Sequence, residues 1–246
     1  MNETEKVELP IHYAELESIY SQTIDRGIRS LAVTCCTGQE GTTTVATALA
    51  RRAEAGGRKT LLVDMNFCSP AIGLELGLES RQWKQLDNYL SDQIEQLPAN
   101  DAWVSSLSVL PAPSTPTGNL MLREKNFLSE CMKAWLQEYE LVIIDTSPIN
   151  AINRHNLPAE RICAQCEGTL LTVLSGVTQQ SHIHKAMQKL DSNKVELSGC
   201  IMNDMHFPTL SEELVRQSYK LQPWFPGLMT WLRNKVQRSS MLNMTI

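Results

Sequence analysis

The residues Thr37-Gly38-Gln39-Glu40-Gly41-Thr42-Thr43-Thr44 have the composition of a phosphate-binding turn. Two glycines permit a tight backbone, consecutive N–H groups can converge on an anion, and a following helix adds partial positive charge. The pattern G-x-x-x-x-G-K-[ST] requires a lysine where this chain has Thr42, and its first glycine falls on Cys36. Farther along, two apolar runs end in a carboxylate: Leu61-Leu62-Val63-Asp64 and Leu141-Val142-Ile143-Ile144-Asp145. With the Thr43 hydroxyl, Asp64 and Asp145 form an oxygen set suited to Mg2+, a hard cation that keeps several of its waters. Gly38, Gln39, Glu40, Gly41, Thr42, Thr43 and Thr44 would cradle phosphates, with Asp64 and Asp145 catalytic if turnover occurs.

Those residues need a scaffold that delivers them to one place. An apolar run over 31–36 leads into the turn, and an Ala-rich helical pattern over 45–55 leaves it and stops at Gly56-Gly57. Further strands are expected at 59–64, within 103–110, and at 141–145, 169–174 and 195–203. Helices are expected at 10–28, 120–139, 178–190, 210–221 and 228–238, with mixed helix and turn over 70–90. The proline-rich stretch 111–118 must be a loop. This alternation predicts an α/β fold: a single doubly wound, mostly parallel sheet with helices on both faces. Ligands of such sheets sit beyond the carboxyl ends of the strands, where Asp64, Asp145 and the turn after Cys36 would converge. The expected organisation is an N-terminal helical segment (1–28), the α/β body (29–222) and a basic amphipathic tail (223–246).

Composition narrows the function classes. The chain has 246 residues, 42% of them hydrophobic and 20% charged, which suits an ordinary folded protein. No apolar run reaches the roughly 18 residues that a membrane span needs. The acidic start lacks an apolar signal core, so a cytoplasmic location is expected. Seven Cys, an odd number among apolar neighbours, suit reduced thiols. Cys163 and Cys166, with His182 and His184 as imaginable partners, could hold zinc, but no second Cys pair follows, and incidental burial is the simpler reading. Five of the 22 basic residues and none of the 27 acidic ones lie in 214–246. The remaining body is acidic, which argues against nucleic acid as a partner.

The ordered set resembles the MinD/ParA class of P-loop ATPases, and more specifically the bacterial tyrosine kinases of capsule and exopolysaccharide export. The likeness is carried by Val63-Asp64-Met65-Asn66-Phe67-Cys68-Ser69-Pro70, by Ile143-Ile144-Asp145-Thr146-Ser147-Pro148, by the proline-rich loop from Leu110, by 167–178 and by Gly199-Cys200-Ile201-Met202-Asn203. It covers about residues 15–203. It implies that Asn203 meets the adenine and that ATP or ADP binds with Mg2+. Four departures stand out: Thr42 and Thr37 replace the two lysines of the deviant loop, Asn66 and Cys68 alter the second motif, the E-x-x-R-x-x-R assembly motif has no match in 15–23, and no Tyr lies beyond Tyr219.

Losing one charged group at the moving phosphate costs on the order of 10²–10³ in rate. No tyrosine kinase activity is therefore expected, ATPase activity would be weak or absent, and nucleotide affinity would be lowered. The resemblance implies a pseudoenzyme, an accessory or regulatory protein of bacterial exopolysaccharide synthesis and export. MinD-like proteins of cellulose secretion are similar in carrying a Gly-Thr-Thr-Thr loop, so cellulose is a candidate polymer. Its expected partner is an inner-membrane component of that machinery, with a homodimer and an anionic membrane surface as further candidates. Two other readings stay open: an active ATPase that positions a secretion or surface machine, and a nucleotide-free structural module.

The tail has its own pattern. Leu228, Trp231, Leu232 and Val236 share a helical stripe, Trp224 precedes it, and Arg233, Lys235 and Arg238 flank it. Such a helix suits either a docking partner or the inner face of the plasma membrane, where it would act as a peripheral anchor. An anchor requires the full chain to sediment with anionic vesicles while residues 1–222 stay in the supernatant. Equal pelleting of both would assign the helix to a protein contact.

Overall fold

In the computed structural model of the chain, the residues described are 9–67, 69–78, 83, 89–99, 106–114, 122–124, 126–151 and 157–205. Each apolar run becomes a strand because alternate side chains find a packed layer on either side. The strands are β1 (Ser30–Cys35), β2 (Thr60–Met65), β3 (Glu95–Leu97), β4 (Leu107–Leu110), β5 (Leu141–Thr146), β6 (Gly168–Leu174) and β7 (Leu197–Asn203). They form one sheet in the order β3-β4-β2-β5-β1-β6-β7, parallel except where β3 pairs antiparallel with β4.

The helices are α1 (Ala14–Gln22), α2 (Thr42–Ala55), α3 (Ile72–Glu75), α4 (Phe127–Glu138), α5 (Ala159–Cys163) and α6 (Gln180–Ser192). Leu31, Val33, Leu62, Leu141 and Ile143 pack with α1, α2 and α3 on one face. Ala32, Leu61, Val63, Val142 and Ile144 pack with α4, α5 and α6 on the other. The mostly parallel, doubly covered sheet is therefore as expected. Two compact units are distinguished, Met1–Asn203 and Asp204–Ile246. Leu16, Tyr20 and Ile24 are buried in the same cluster as α2, within the first unit.

Element ends differ from the sequence expectation for local reasons. The first helix does not run from 10 to 28: the Thr23 hydroxyl donates to the Ile19 carbonyl at 2.7 Å, and a 3-10 turn over Ile24–Arg26 follows. The helix expected over 120–139 is interrupted: Leu122 is helical, and α4 begins at Phe127 after Asn126 turns at φ +74°. The last strand starts at Leu197 rather than 195, since Lys194 turns at φ +55° and Val195 N–H bonds back to Leu190 O. The strand expected within 103–110 occupies Leu107–Leu110. The short β3 and α5 were not expected at all.

Several expectations lie outside the described residues: the helices at 210–221 and 228–238, most of 79–88, and the proline-rich loop beyond 114. Trp224, Leu228, Trp231, Leu232, Arg233, Lys235, Val236 and Arg238 lie there too.

Trp135 shows how the α4 layer is fixed. It is 1% exposed, and its indole N–H donates to the Tyr89 carbonyl at 3.0 Å. Trp135→Ala is expected to remove about 3–5 kcal/mol of stability, read as a lowered denaturation midpoint. A loss below 1 kcal/mol would show that α4 does not depend on this anchor.

Candidate functional site

The loop between β1 and α2 has the backbone of an anion cradle. Gly38, Gln39 and Gly41 take φ values of +112°, +60° and +85°. Glycine meets this need at little cost, whereas Gln39 is strained there. A Cβ on Gly38 would lie 3.3 Å from Pro148 Cγ, and one on Gly41 would meet Asn203 Nδ2 at 2.5 Å. Gly41 caps α2 without a side chain, and no acidic residue occupies the first turn. The N-terminal N–H groups of α2 are therefore left for an anion.

Period-two alternation decides which way the carboxylates point. Asp64 shares the α2 face with Leu62, and Asp145 shares it with Ile143. The parallel pairing of β2 with β5 sets the two Asp opposite each other in register. Both are fully buried. Asp64 accepts from Asn66 N–H at 3.0 Å and from Ile72 N–H at 3.2 Å. Thr43 donates its hydroxyl proton to Asp145 Oδ2 at 2.6 Å, which ties the first turn of α2 to the end of β5. Asp145 Oδ1 is buried and has no hydrogen-bond partner. An orphaned carboxylate oxygen beside a second carboxylate and a hydroxyl fits a hard divalent cation.

Where a lysine would stand, Thr42 is buried instead. Its hydroxyl lies 3.1 Å from Thr172 Oγ1, whose own proton goes to the Thr34 carbonyl at 3.1 Å. Thr42 must therefore be the donor. Glu40 is 1% exposed, and its carboxylate accepts from Thr37 N–H at 3.0 Å, from the Thr37 hydroxyl at 3.2 Å and from the Thr178 hydroxyl. Only the backbone of Glu40 remains available to a phosphate. Asn203 Nδ2 donates to the Glu40 carbonyl at 3.3 Å, which places the end of β7 against the loop.

The structure thus brings Gly38 to Thr44, Asp64, Asp145 and Asn203 to one edge of the sheet. The sequence reading missed Thr172 and Thr178 as partners of the loop. A threonine inside the apolar run Leu170-Leu171-Thr172-Val173 was the available signal for the first. Cys163 and Cys166 are both buried in the core, and among the described residues no group of three or more His, Cys, Asp or Glu gathers as a metal set.

Burial is the main cause that raises the Asp64 carboxyl to about 7, against N–H bonds that lower it and the Glu75 charge that adds to it. Burial and then the Asp64 charge push Asp145 well above its ordinary range, opposed by the Thr43 hydroxyl. The folded chain therefore holds protons that the unfolded chain has released. Stability from this pair is complete below the ordinary value of 3.8 and lost as pH rises through about 7. The melting temperature of the metal-free protein should fall across that interval. Asp145→Asn keeps an acceptor for Thr43 while removing a like charge, so it should flatten the fall. Identical pH slopes for the two proteins would rule out the pair as its source.

No family model matches the chain. It is 27% identical to tyrosine-protein kinase YwqD of Bacillus subtilis over 77% of this chain and 78% of that protein. It is 25% identical to tyrosine-protein kinase CpsD of Streptococcus agalactiae over 72% and 75%. Its fold superposes on the chimerical protein CapA2B2 with a TM-score of 0.67, at 22% identity over 82% of this chain and 88% of that one. Cobyrinic acid a,c-diamide synthase from Mycobacterium smegmatis, solved with an ATP analogue and magnesium, gives 0.56 at 16% identity over 71% and 72%. The cell division ATPase MinD of Pyrococcus furiosus gives 0.55 at 20% identity over 72% of both chains. The chain is thus similar in sequence to bacterial tyrosine kinases and shares its fold with MinD and other ATP-binding proteins.

Proposed function

We propose that this chain is a nucleotide-binding accessory protein of bacterial polysaccharide synthesis and export that has no tyrosine kinase activity. The observation that carries this reading is Thr42. The lysine position holds a buried hydroxyl bonded to Thr172, while the glycine loop, Thr43, Asp64 and Asp145 stay together. Loop amides and the α2 N-terminus would receive the phosphates, and Thr43, Asp64 and Asp145 would hold Mg2+. A bound Mg2+ supplies charge neutralisation at the phosphates. Asn203 would lie at the nucleoside end.

The polysaccharide setting is carried over from the tyrosine kinase relatives, and the cellulose version of it rests on the Gly-Thr-Thr-Thr loop alone. The partner would be a membrane-embedded component of the machinery, engaged in part through the basic amphipathic tail. No described helix is long and apolar enough to cross a membrane. The intact Thr43–Asp145 bond favours a second reading, an ATPase switch that turns over slowly.

Incubation with ATP and Mg2+ is expected to give no phosphotyrosine, and a robust signal would overturn the pseudoenzyme assignment. Nucleotide with Mg2+ should raise thermal stability, by about 2.7 kcal/mol at a concentration 100 times Kd. ATP hydrolysis that Asp64→Ala or Asp145→Ala abolishes would instead establish the switch.

A further inference from the structure

We infer that Glu40 is a positioning residue: braced on Thr178, it holds the β1–α2 loop in its anion-ready shape before any ligand arrives. The inference rests on the nucleotide-binding reading above and concerns what keeps that site assembled. A loop that receives phosphates on its backbone amides cannot use the same amides to hold itself together. Here the chain also passes through left-handed backbone at Gly38, Gln39 and Gly41. Gln39 is strained in that region, and such a path persists only where surrounding groups over-determine it. The brace must therefore come from side chains.

Glu40 lies in the middle of this path and is 1% exposed. A buried carboxylate is kept only where hydrogen bonds replace the water it loses. Three donors do so here. The Thr37 N–H at 3.0 Å and the Thr37 hydroxyl at 3.2 Å close the loop on its own first residue. The Thr178 hydroxyl, 138 residues away, ties the loop to the rest of the fold.

Thr178 is a firm footing. Its N–H donates to the Leu174 carbonyl at 2.9 Å, and its hydroxyl accepts from the Leu174 N–H at 3.0 Å. Leu174 ends β6 and pairs with Asn203 at the end of β7, where Ser175 N–H donates to the Asn203 carbonyl at 2.7 Å. Asn203 Nδ2 in turn donates to the Glu40 carbonyl at 3.3 Å. Glu40 is thus held by its side chain from one strand end and by its backbone from the next. Thr43 fixes the downstream half of the loop on Asp145, and Glu40 fixes the upstream half on Thr178. With the brace in place, a ligand meets a loop that is already ordered. Without it, part of the interaction energy would go into ordering the loop, and affinity would fall.

Isothermal titration of the full chain with ADP in Mg2+ tests this, with melting temperatures measured in parallel. Thr178→Val keeps the side-chain shape but removes the hydroxyl, and should weaken ADP binding on the order of 10-fold. Thr178→Ser restores the hydroxyl and should bind as the wild type does. Glu40→Gln keeps one acceptor oxygen but turns an amide donor toward one of the three donors, and should weaken binding to a similar extent. The double variant Glu40→Gln/Thr178→Val should bind no more weakly than the weaker single variant, because both remove one brace. A merely structural role would lower the melting temperature and leave the ADP affinity of the folded protein unchanged. That result, or equal losses in Thr178→Ser and Thr178→Val, overturns the inference while wild-type binding keeps the nucleotide reading. Should Thr178→Val fail to fold, unchanged affinity in Glu40→Gln overturns it alone. A wild-type protein that binds no ADP refutes the nucleotide reading, and this inference with it.

Discussion

Two carboxylates buried side by side are the constraint around which this structure is arranged. Asp64 and Asp145 sit opposite each other because β2 and β5 pair in parallel register, and both point toward α2 because of their strand parity. Neither could remain there alone. Asn66 and Ile72 turn their N–H groups back to Asp64, and Thr43 gives its proton to Asp145. These bonds fix the start of α3, the first turn of α2 and hence the glycine loop. A pair of like charges in a dry interior is costly, and apolar residues of similar size would make a more stable sheet. Burial therefore raises both carboxyls, so that they hold protons where exposed ones would not.

The strands that carry these residues were legible because each is a run of apolar side chains that ends in a recognisable way. Their parallel order followed from the alternation with helices. Boundaries were less legible, since single residues decide them. Thr23 ends α1 by bonding to its own helix, while Asn126 and Lys194 turn through left-handed backbone that many sequences could avoid. The edge strand β3 pairs through the backbone of the polar Glu95-Gln96-Leu97, with no apolar pattern to announce it.

The site was half legible for a different reason. A glycine loop is read by backbone geometry, and that geometry is local, so Gly38 and Gly41 could be assigned from spacing. The direction of a side chain depends on what lies across the sheet. Glu40 turns inward because Thr178, 138 residues away, offers a hydroxyl, and Thr42 is satisfied by Thr172, 130 residues away. No local pattern contains those partners. The departures from the lysine-bearing pattern were visible, but not what replaced the lysines.

What stands in their place changes the physics of the loop. A lysine buried beside Asp64 and Asp145 could pair with them in the absence of ligand and would be drawn away when phosphate arrives. Thr42 cannot do this. Its proton is committed to Thr172 and onward to Thr34, so the neutral hydroxyl chain closes on itself and leaves the carboxylates uncompensated. Burial lifts both Asp carboxyls, so each holds its proton to a higher pH than an exposed carboxyl would. A cation held by this pair would have to displace those protons, so its affinity would rise with pH. With threonine at that position, the loop offers Asp64 and Asp145 no cation at residue 42. Loop geometry and electrostatic function, fused in a lysine-bearing loop, are separate here.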